Sequence, residues 1–332
     1  MIIGTIRKNL RLFPVRISVT DYCNLHCFFC SNEGLPLSQR NRNHIDFHLF
    51  KNLIKILSEA GFESISLTGG EPTLHPQIIR IIDLIGQHRF KTVFFHTNGI
   101  SLNNTIINRV AKKFTKIAVS IHSANYLTWH RMTGGSKEQF RKIFLNLKKL
   151  SNLKGGPIVE LKMVPIKGYN GTKKEFFDFL ELCNKSKFKF KILNFEPIAK
   201  RQLKLAIPFR NIKEILTRVG CKTVPREKTF RGQSNYLPLN KFKYKNTTGV
   251  AIEIGCGDEK VCKGCYLCNE IFISSDLKIK PCHMSNHQIN IADFARNKEN
   301  RLIIKKIIES RLFLSKAPGI GLEVWQNSKT QL

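Results

Sequence analysis

Val15-Arg16-Ile17-Ser18-Val19-Thr20-Asp21-Tyr22-Cys23-Asn24-Leu25-His26-Cys27-Phe28-Phe29-Cys30 reads as a β-strand that runs directly into a three-cysteine loop. Val15, Ile17 and Val19 alternate with Arg16, Ser18 and Thr20, the period of a strand with one face on a core. The C-x3-C-x2-C spacing of Cys23, Cys27 and Cys30 offers three thiolates on one short loop. Three ligands are one short of a closed tetrahedral zinc site. They are also one short of a cubane iron–sulfur cluster, whose four irons each take a ligand. One position is left for a group that is not protein, which makes the loop a candidate reaction centre.

Outward from this loop the chain keeps alternating. Strand-like runs lie at Val15–Val19, Ser64–Leu67, Thr92–His96, Ile117–Ile121, Val159–Val164 and Lys189–Phe195. Between them apolar residues fall at helical spacing, as in Leu49, Leu53, Ile54, Ile56 and Leu57, and again over 78–85, 105–114, 140–150 and 174–182. Six strand–helix units with right-handed crossovers predict an α/β fold, a partial (β/α)6 TIM-like barrel with a C-terminal extension. Functional residues of such a barrel belong at the C-terminal strand ends. The cysteine loop falls there, as do Gly69-Gly70-Glu71-Pro72, Thr97-Asn98-Gly99 and Ser120 with His122 and Ser123.

Past Pro197 the rhythm breaks into a segment rich in Lys and Arg, with one helix expected near 210–219. The expected organisation is an N-terminal extension over 1–14, a core domain over 15–198, a basic connecting segment over 199–250 and a C-terminal cluster region over 251–332. That last region carries Cys256, Cys262, Cys265, Cys268 and Cys282. Its C-x2-C-x2-C core suits a ferredoxin-like cubane or a zinc site, and spacing alone does not choose. Eight of the ten cysteines sit in these two clusters, which argues for metal ligation in a reducing compartment over a disulfide framework. With no apolar run of membrane-spanning length and no signal-peptide core, the expected location is the cytoplasm.

The paired motifs, Cys23-x3-Cys27-x2-Cys30 followed by Gly69-Gly70-Glu71-Pro72, resemble the radical S-adenosylmethionine (SAM) superfamily. The resemblance implies a [4Fe–4S] cluster on Cys23, Cys27 and Cys30, with SAM chelating the fourth iron. It places Phe29, Gly69, Gly70, Glu71, Asn98 and Ser120 around SAM. A finer resemblance runs from about Phe13 to about Met284 and is to the GTP 3′,8-cyclases of molybdenum cofactor biosynthesis. It rests on the run from Val15 to Asn24, on Val119-Ser120, on Lys167-Gly168-Tyr169-Asn170 and on Cys265-x2-Cys268-x13-Cys282. That branch implies a second [4Fe–4S] cluster on Cys265, Cys268 and Cys282, with Cys262 or Cys256 available as a fourth ligand. It also implies substrate contacts from Arg16 and from Lys191, near a family arginine position.

Two departures are specific. Where the cyclases carry two substrate-contacting arginines, this chain has Glu270 and Phe272. Where they end in two glycines, it ends Lys329-Thr330-Gln331-Leu332. The expectation is a retained scaffold with a changed substrate.

The net charge of +31 fits either a lysine-rich compositional habit or an anionic partner. Three function classes follow. The first is a radical SAM enzyme acting on a small, anionic or nucleotide-like molecule, fed by an electron donor such as flavodoxin or ferredoxin. The second is a peptide-modifying maturase, favoured by the extra cysteines but without a leader-binding domain ahead of Val15. The third is a non-catalytic zinc or nucleic-acid-binding protein. Aromatic residues do not interleave with the basic ones as a stacking platform for nucleic acid requires.

Overall fold

The computed structural model describes residues 14–30, 43–197, 200–225, 239–253, 270–280, 288–297 and 302–307. In chain order the first half gives β1 (Val15–Ser18), α1 (Phe47–Glu59), β2 (Ser64–Thr68), α2 (Ile78–Ile85), β3 (Thr92–Thr97), α3 (Asn104–Lys113) and β4 (Lys116–Ser120). Two helices, α4 (Tyr126–Thr133) and α5 (Lys137–Ser151), precede β5 (Ile158–Met163), α6 (Lys173–Lys185) and β6 (Lys189–Leu193). Then come α7 (Phe209–Arg218), β7 (Lys222–Thr223), β8 (Leu239–Tyr244) and β9 (Thr247–Ile252). The last described elements include β10 (Ile271–Ile273), β11 (Lys278–Lys280), β12 (Ile289–Asn290) and α8 (Ala292–Arg296).

All the described strands form one sheet, in the order β12-β11-β10-β1-β2-β3-β4-β5-β6-β9-β8-β7. Strands β1 to β6 are parallel neighbours, as the alternation predicted, and each lies within one or two residues of its expected run. Two further strands join in parallel at the sides, β10 on β1 and β9 on β6. So segments before and after residue 200 share the sheet. The β8–β9 hairpin was not anticipated, although Phe242 and Tyr244, both buried, alternate with Lys241 and Lys243 at strand period.

The two faces of the sheet differ in chemistry. Ile17, Leu67, Phe95, Val119, Leu161 and Ile192 are fully buried in the main core beneath the helices. Burial of such side chains contributes about 1.5–3 kcal/mol each. The alternate positions, which face the lumen, carry Arg16, Ser66, His96, Lys116, Glu160, Lys162 and Lys191 instead. Helix α1 shows how the chain builds its cover. Asp46 caps it, accepting from the N–H groups of His48 and Leu49, both at 2.9 Å, and Phe50, Leu53, Ile54, Ile56 and Leu57 form its buried stripe. Among the described residues no helix is long and apolar enough to cross a membrane.

Candidate active site

The cysteine loop is held at its root by the Gly-Gly strand end. The Gly70 N–H donates to Thr20 O at 2.7 Å and the Glu71 N–H to Tyr22 O at 2.8 Å. Only glycine fits this approach. A Cβ on Gly69 would stand 2.3 Å from Thr20 O, and one on Gly70 would stand 2.3 Å from Tyr22 O. Gly69 also takes φ +135°, which side chains rarely adopt. The sequence suggested a turn open to a ligand; the two glycines also make room for the chain that leads into the loop. On the other side of that root, Ser275 beyond β10 donates to the Asp21 carboxylate at 2.7 Å. Burial pushes the Asp21 carboxyl up, against the pull of that bond.

Further along, helix α4 receives the loop. Its last carbonyls have no partner within the helix. They accept instead from loop amides, Thr133 O from His26 N–H at 2.9 Å and Met132 O from Phe28 N–H at 3.3 Å. The sequence reading missed this helix, yet its signals are present. Asn125 caps it through Thr128 N–H, and Gly134 ends it in the left-handed region at φ 69°. Gln139, in the capping box of α5, reaches back to donate to Asn24 O at 3.2 Å. A side chain at Gly135 would strike the ring of Trp129 and the side chain of Leu25, so α4, α5 and the loop pack without a gap.

Glu71 and Asn98 organise the floor beside the cysteines. Glu71 is fully buried, and one carboxylate oxygen accepts from Thr73 N–H at 3.1 Å, Thr73 Oγ1 at 2.7 Å and Thr97 Oγ1 at 2.7 Å. The other accepts from Asn98 N–H at 2.6 Å. Burial pushes its carboxyl up, while these donors pull it down. The Asn98 side chain is thereby aimed at the loop. Its Nδ2 donates to Asn24 Oδ1 at 2.7 Å and lies 3.9 Å from Cys23 Sγ. Cys23, Cys27 and Cys30 are all half-buried. Phe29, between the last two, meets the His122 ring edge to face at 4.8 Å. Ser120 ends β4 half-buried, in register with Lys162.

His122 was singled out only by its place after β4. It holds φ 61°, unusual for a side chain of its size, and three contacts keep it there. Its N–H donates to Lys162 O at 3.1 Å, its carbonyl accepts from Asn170 Nδ2 at 2.8 Å, and its Nδ1 accepts from Val164 N–H at 3.3 Å. Burial, with Lys162 nearby, lowers its pKa to about 3, so the ring is neutral with its proton on Nε2.

Below this floor the barrel lumen is lined by charge. Lys162 Nζ lies 2.6 Å from His96 Nδ1, reaching across β4 where Ala118 presents only a methyl group. Lys191 stands in register with Lys162 on the next strand. Burial lowers Lys162 well below the usual lysine range, and the neighbouring Lys191 and Arg16 add to it. The Lys191 ammonium is lowered by burial as well. Two carboxylates offset part of the charge, Glu160 with Lys116 at 3.3 Å and Glu270 with Arg16 at 3.6 Å. Although burial pushes the Glu160 carboxyl up, Lys191, Lys116 and Lys162 outweigh it and hold it below the usual range. Neither Lys162 nor Lys191 has a salt bridge among the described residues. Of this group the sequence reading named Arg16 and Lys191. Lys116, Glu160 and Lys162 were legible as charged residues at strand period within otherwise buried strands.

Cys256, Cys262, Cys265, Cys268 and Cys282 lie outside the described residues. Glu270 and Phe272 lie within them. Phe272 is buried in β10, in register with Arg16. Among the described residues no group of three or more His, Cys, Asp or Glu closes around a single ion. The chemistry of three thiolates on one loop, with an amide donor at Cys23, suits a multi-iron cluster.

Comparison with known proteins agrees with this geometry. The sequence model of the radical SAM superfamily matches residues 17–183. A GTP 3′,8-cyclase of Alkaliphilus oremlandii is 27% identical over 293 residues, covering 88% of this chain and 87% of that protein. A probable GTP 3′,8-cyclase of Saccharolobus islandicus is 26% identical over 307 residues, covering 90% and 91%. Among solved structures, Streptococcus suis SuiB bound to its precursor peptide SuiA superposes with a TM-score of 0.62 at 16% identity. It covers 87% of this chain, which spans 65% of that one. The structure of anSMEcpe with bound AdoMet gives a TM-score of 0.60 at 15% identity, covering 86% and 80%. These two likenesses establish the fold.

Proposed function

This chain belongs to the radical SAM superfamily, and from that premise we propose that it acts on a small anionic substrate held in the barrel lumen. It is an enzyme of that superfamily, similar to the GTP 3′,8-cyclases, and the superfamily implies SAM and a [4Fe–4S] cluster. When bound, that pair would supply one-electron reduction of the SAM sulfonium and so radical chemistry at a substrate C–H bond. Cys23, Cys27 and Cys30 hold the cluster in this reading. Phe29, Gly69, Gly70, Glu71, Asn98 and Ser120 hold SAM. Glu71 acts largely by fixing Asn98, since its carboxylate already accepts four hydrogen bonds.

The observation that carries the substrate class is the lumen charge. Lys162 is buried and Lys191 half-buried, and among the described residues neither has a carboxylate within salt-bridge distance, so charging both is costly unless an anion completes the site. Arg16 is partly committed to Glu270, so Lys162 and Lys191 form the stronger anion site. The substrate therefore lies between them and the strand ends that carry the cysteine loop.

A second cluster on Cys265, Cys268 and Cys282, with Cys262 or Cys256 as a further ligand, belongs to the same proposal. Its support is the β10–β11 hairpin. Antiparallel pairing of Phe272 with Lys280 brings the chain at 270 and at 280 to the amino ends of the strands, opposite the first loop. The lumen would then run between two clusters.

The decisive experiment is anaerobic reconstitution with iron and sulfide, reduction, and an assay for 5′-deoxyadenosine. Formation of 5′-deoxyadenosine supports the reading, and its absence from an enzyme with a well-formed cluster removes it. Iron counting on a Cys23/Cys27/Cys30 triple Ala variant tests the second cluster. About four irons should remain, and zinc in their place would exclude it. GTP cyclisation is the second reading, favoured by the two cyclases at 27% and 26% identity. Conversion of GTP by the reduced enzyme would establish it.

A further inference from the structure

The 2.6 Å contact between Lys162 and His96 limits the protons that the pair can hold. Two nitrogens this close form a hydrogen bond, so one must present a lone pair. A lysine ammonium has none, and an imidazole Nδ1 does when neutral. The pair therefore cannot carry a positive charge on both members. The surroundings oppose even one. Arg16 from β1, Lys116 from β4 and Lys191 from β6 act on it, opposed by Glu160 on β5, while Glu270 before β10 pairs with Arg16. Lys162 is buried at 8% exposure and His96 is half-buried, so little water is at hand to screen them.

We propose that Lys162 and His96 form a proton-linked anion receptor, in which an incoming phosphate-type dianion is bound together with a proton taken up on Lys162 Nζ. Charge arithmetic selects the ligand class. Among the described residues, Arg16 is bridged to Glu270 and Lys116 to Glu160, while Lys162 and Lys191 are lumen lysines with no salt bridge. A phosphoryl dianion presents two negative charges on one centre and matches that pair. The proton balance is simple. Burial and the neighbouring cations weaken the ammonium in the empty site, the anion restores it, and the proton that completes it passes from solvent to Lys162, with His96 Nδ1 accepting from it. Burial and the surrounding cations depress Lys162 in the empty site. Proton uptake therefore occurs at pH values between the depressed and the restored pKa, and affinity falls as pH rises through that window.

This inference rests on the anionic-substrate reading, and one titration separates the two. Sulfate is the probe, because it stays dianionic across the working range and any proton exchanged belongs to the protein. The cluster- and SAM-loaded enzyme is titrated by calorimetry at pH 8 in imidazole and in Tris buffers. These differ in ionisation enthalpy. The expected result is uptake of about 0.3–1 proton per sulfate, with affinity falling up to about tenfold per pH unit. Lys162→Arg, permanently charged, should keep binding within about threefold and lose the uptake. Lys162→Met should lose both. Sulfate binding with no proton exchange, or undiminished uptake in Lys162→Arg, would overturn the receptor and leave the anionic reading standing. No sulfate binding at all would overturn both.

Discussion

Glu270 lies against Arg16 in a 3.6 Å salt bridge. Its carboxylate offsets one lumen cation and holds the Arg16 guanidinium. Glu270→Gln should release Arg16 toward bound anions. A pair about a quarter to a third exposed is worth at most ~1 kcal/mol, so sulfate affinity should rise up to about fivefold. Calorimetry on the variant checks it, and unchanged affinity would show that Arg16 takes no part.

Gly70→Ala should cost about 2–4 kcal/mol, because its Cβ would fall 2.3 Å from the backbone oxygen of Tyr22. The strain falls on the residue before Cys23, so iron content after reconstitution should drop with thermal stability. Gly155→Ala is the control. It meets nothing within 4 Å and pays only for φ +73°, about 1 kcal/mol. Its iron content should match wild type.

Asn98→Ala removes the amide that lies 3.9 Å from Cys23 Sγ and holds Asn24. Donors to cluster sulfurs favour the reduced, more negative state. Losing ~0.5–1 kcal/mol of this interaction should lower the midpoint potential by roughly 20–40 mV. An EPR-monitored redox titration reads the shift, and an unmoved potential would assign Asn98 a purely structural role.

His122 should make stability fall in mild acid. Its pKa is lowered to about 3, so the neutral ring's contribution is complete above the ordinary value of 6.5 and is lost as pH falls from there toward 3. Between pH 6.5 and pH 5 this amounts to about 2 kcal/mol. His122→Asn keeps a residue that tolerates φ 61° and removes the titration. Urea unfolding at pH 7 and pH 5 should show a smaller pH-dependent loss in the variant, and equal losses would exclude His122 as the source.

Much of the site could be read along the chain because its parts are local. Cys23, Cys27 and Cys30 are close in sequence, and Gly69, Gly70 and Glu71 sit at a strand end marked by β-period followed by a turn. What stayed hidden is long-range. Nothing local says that Glu71 accepts from Asn98, that α4 hands two carbonyls to the cysteine loop, or that Ser275 bonds Asp21. Helix α4 was missed because an eight-residue helix with few apolar positions has a weak period, though Asn125 and Gly134 mark its ends.

By itself the sequence determined the parallel barrel and the three-thiolate loop. Strand and helix periods and ligand spacing are properties of neighbouring residues, and burial enforces them strongly. Only the tertiary structure decided which charges meet in the lumen. His96, Lys162, Lys191 and Arg16 come from four strands, and their protonation depends on desolvation and mutual repulsion that exist only once the barrel closes around them.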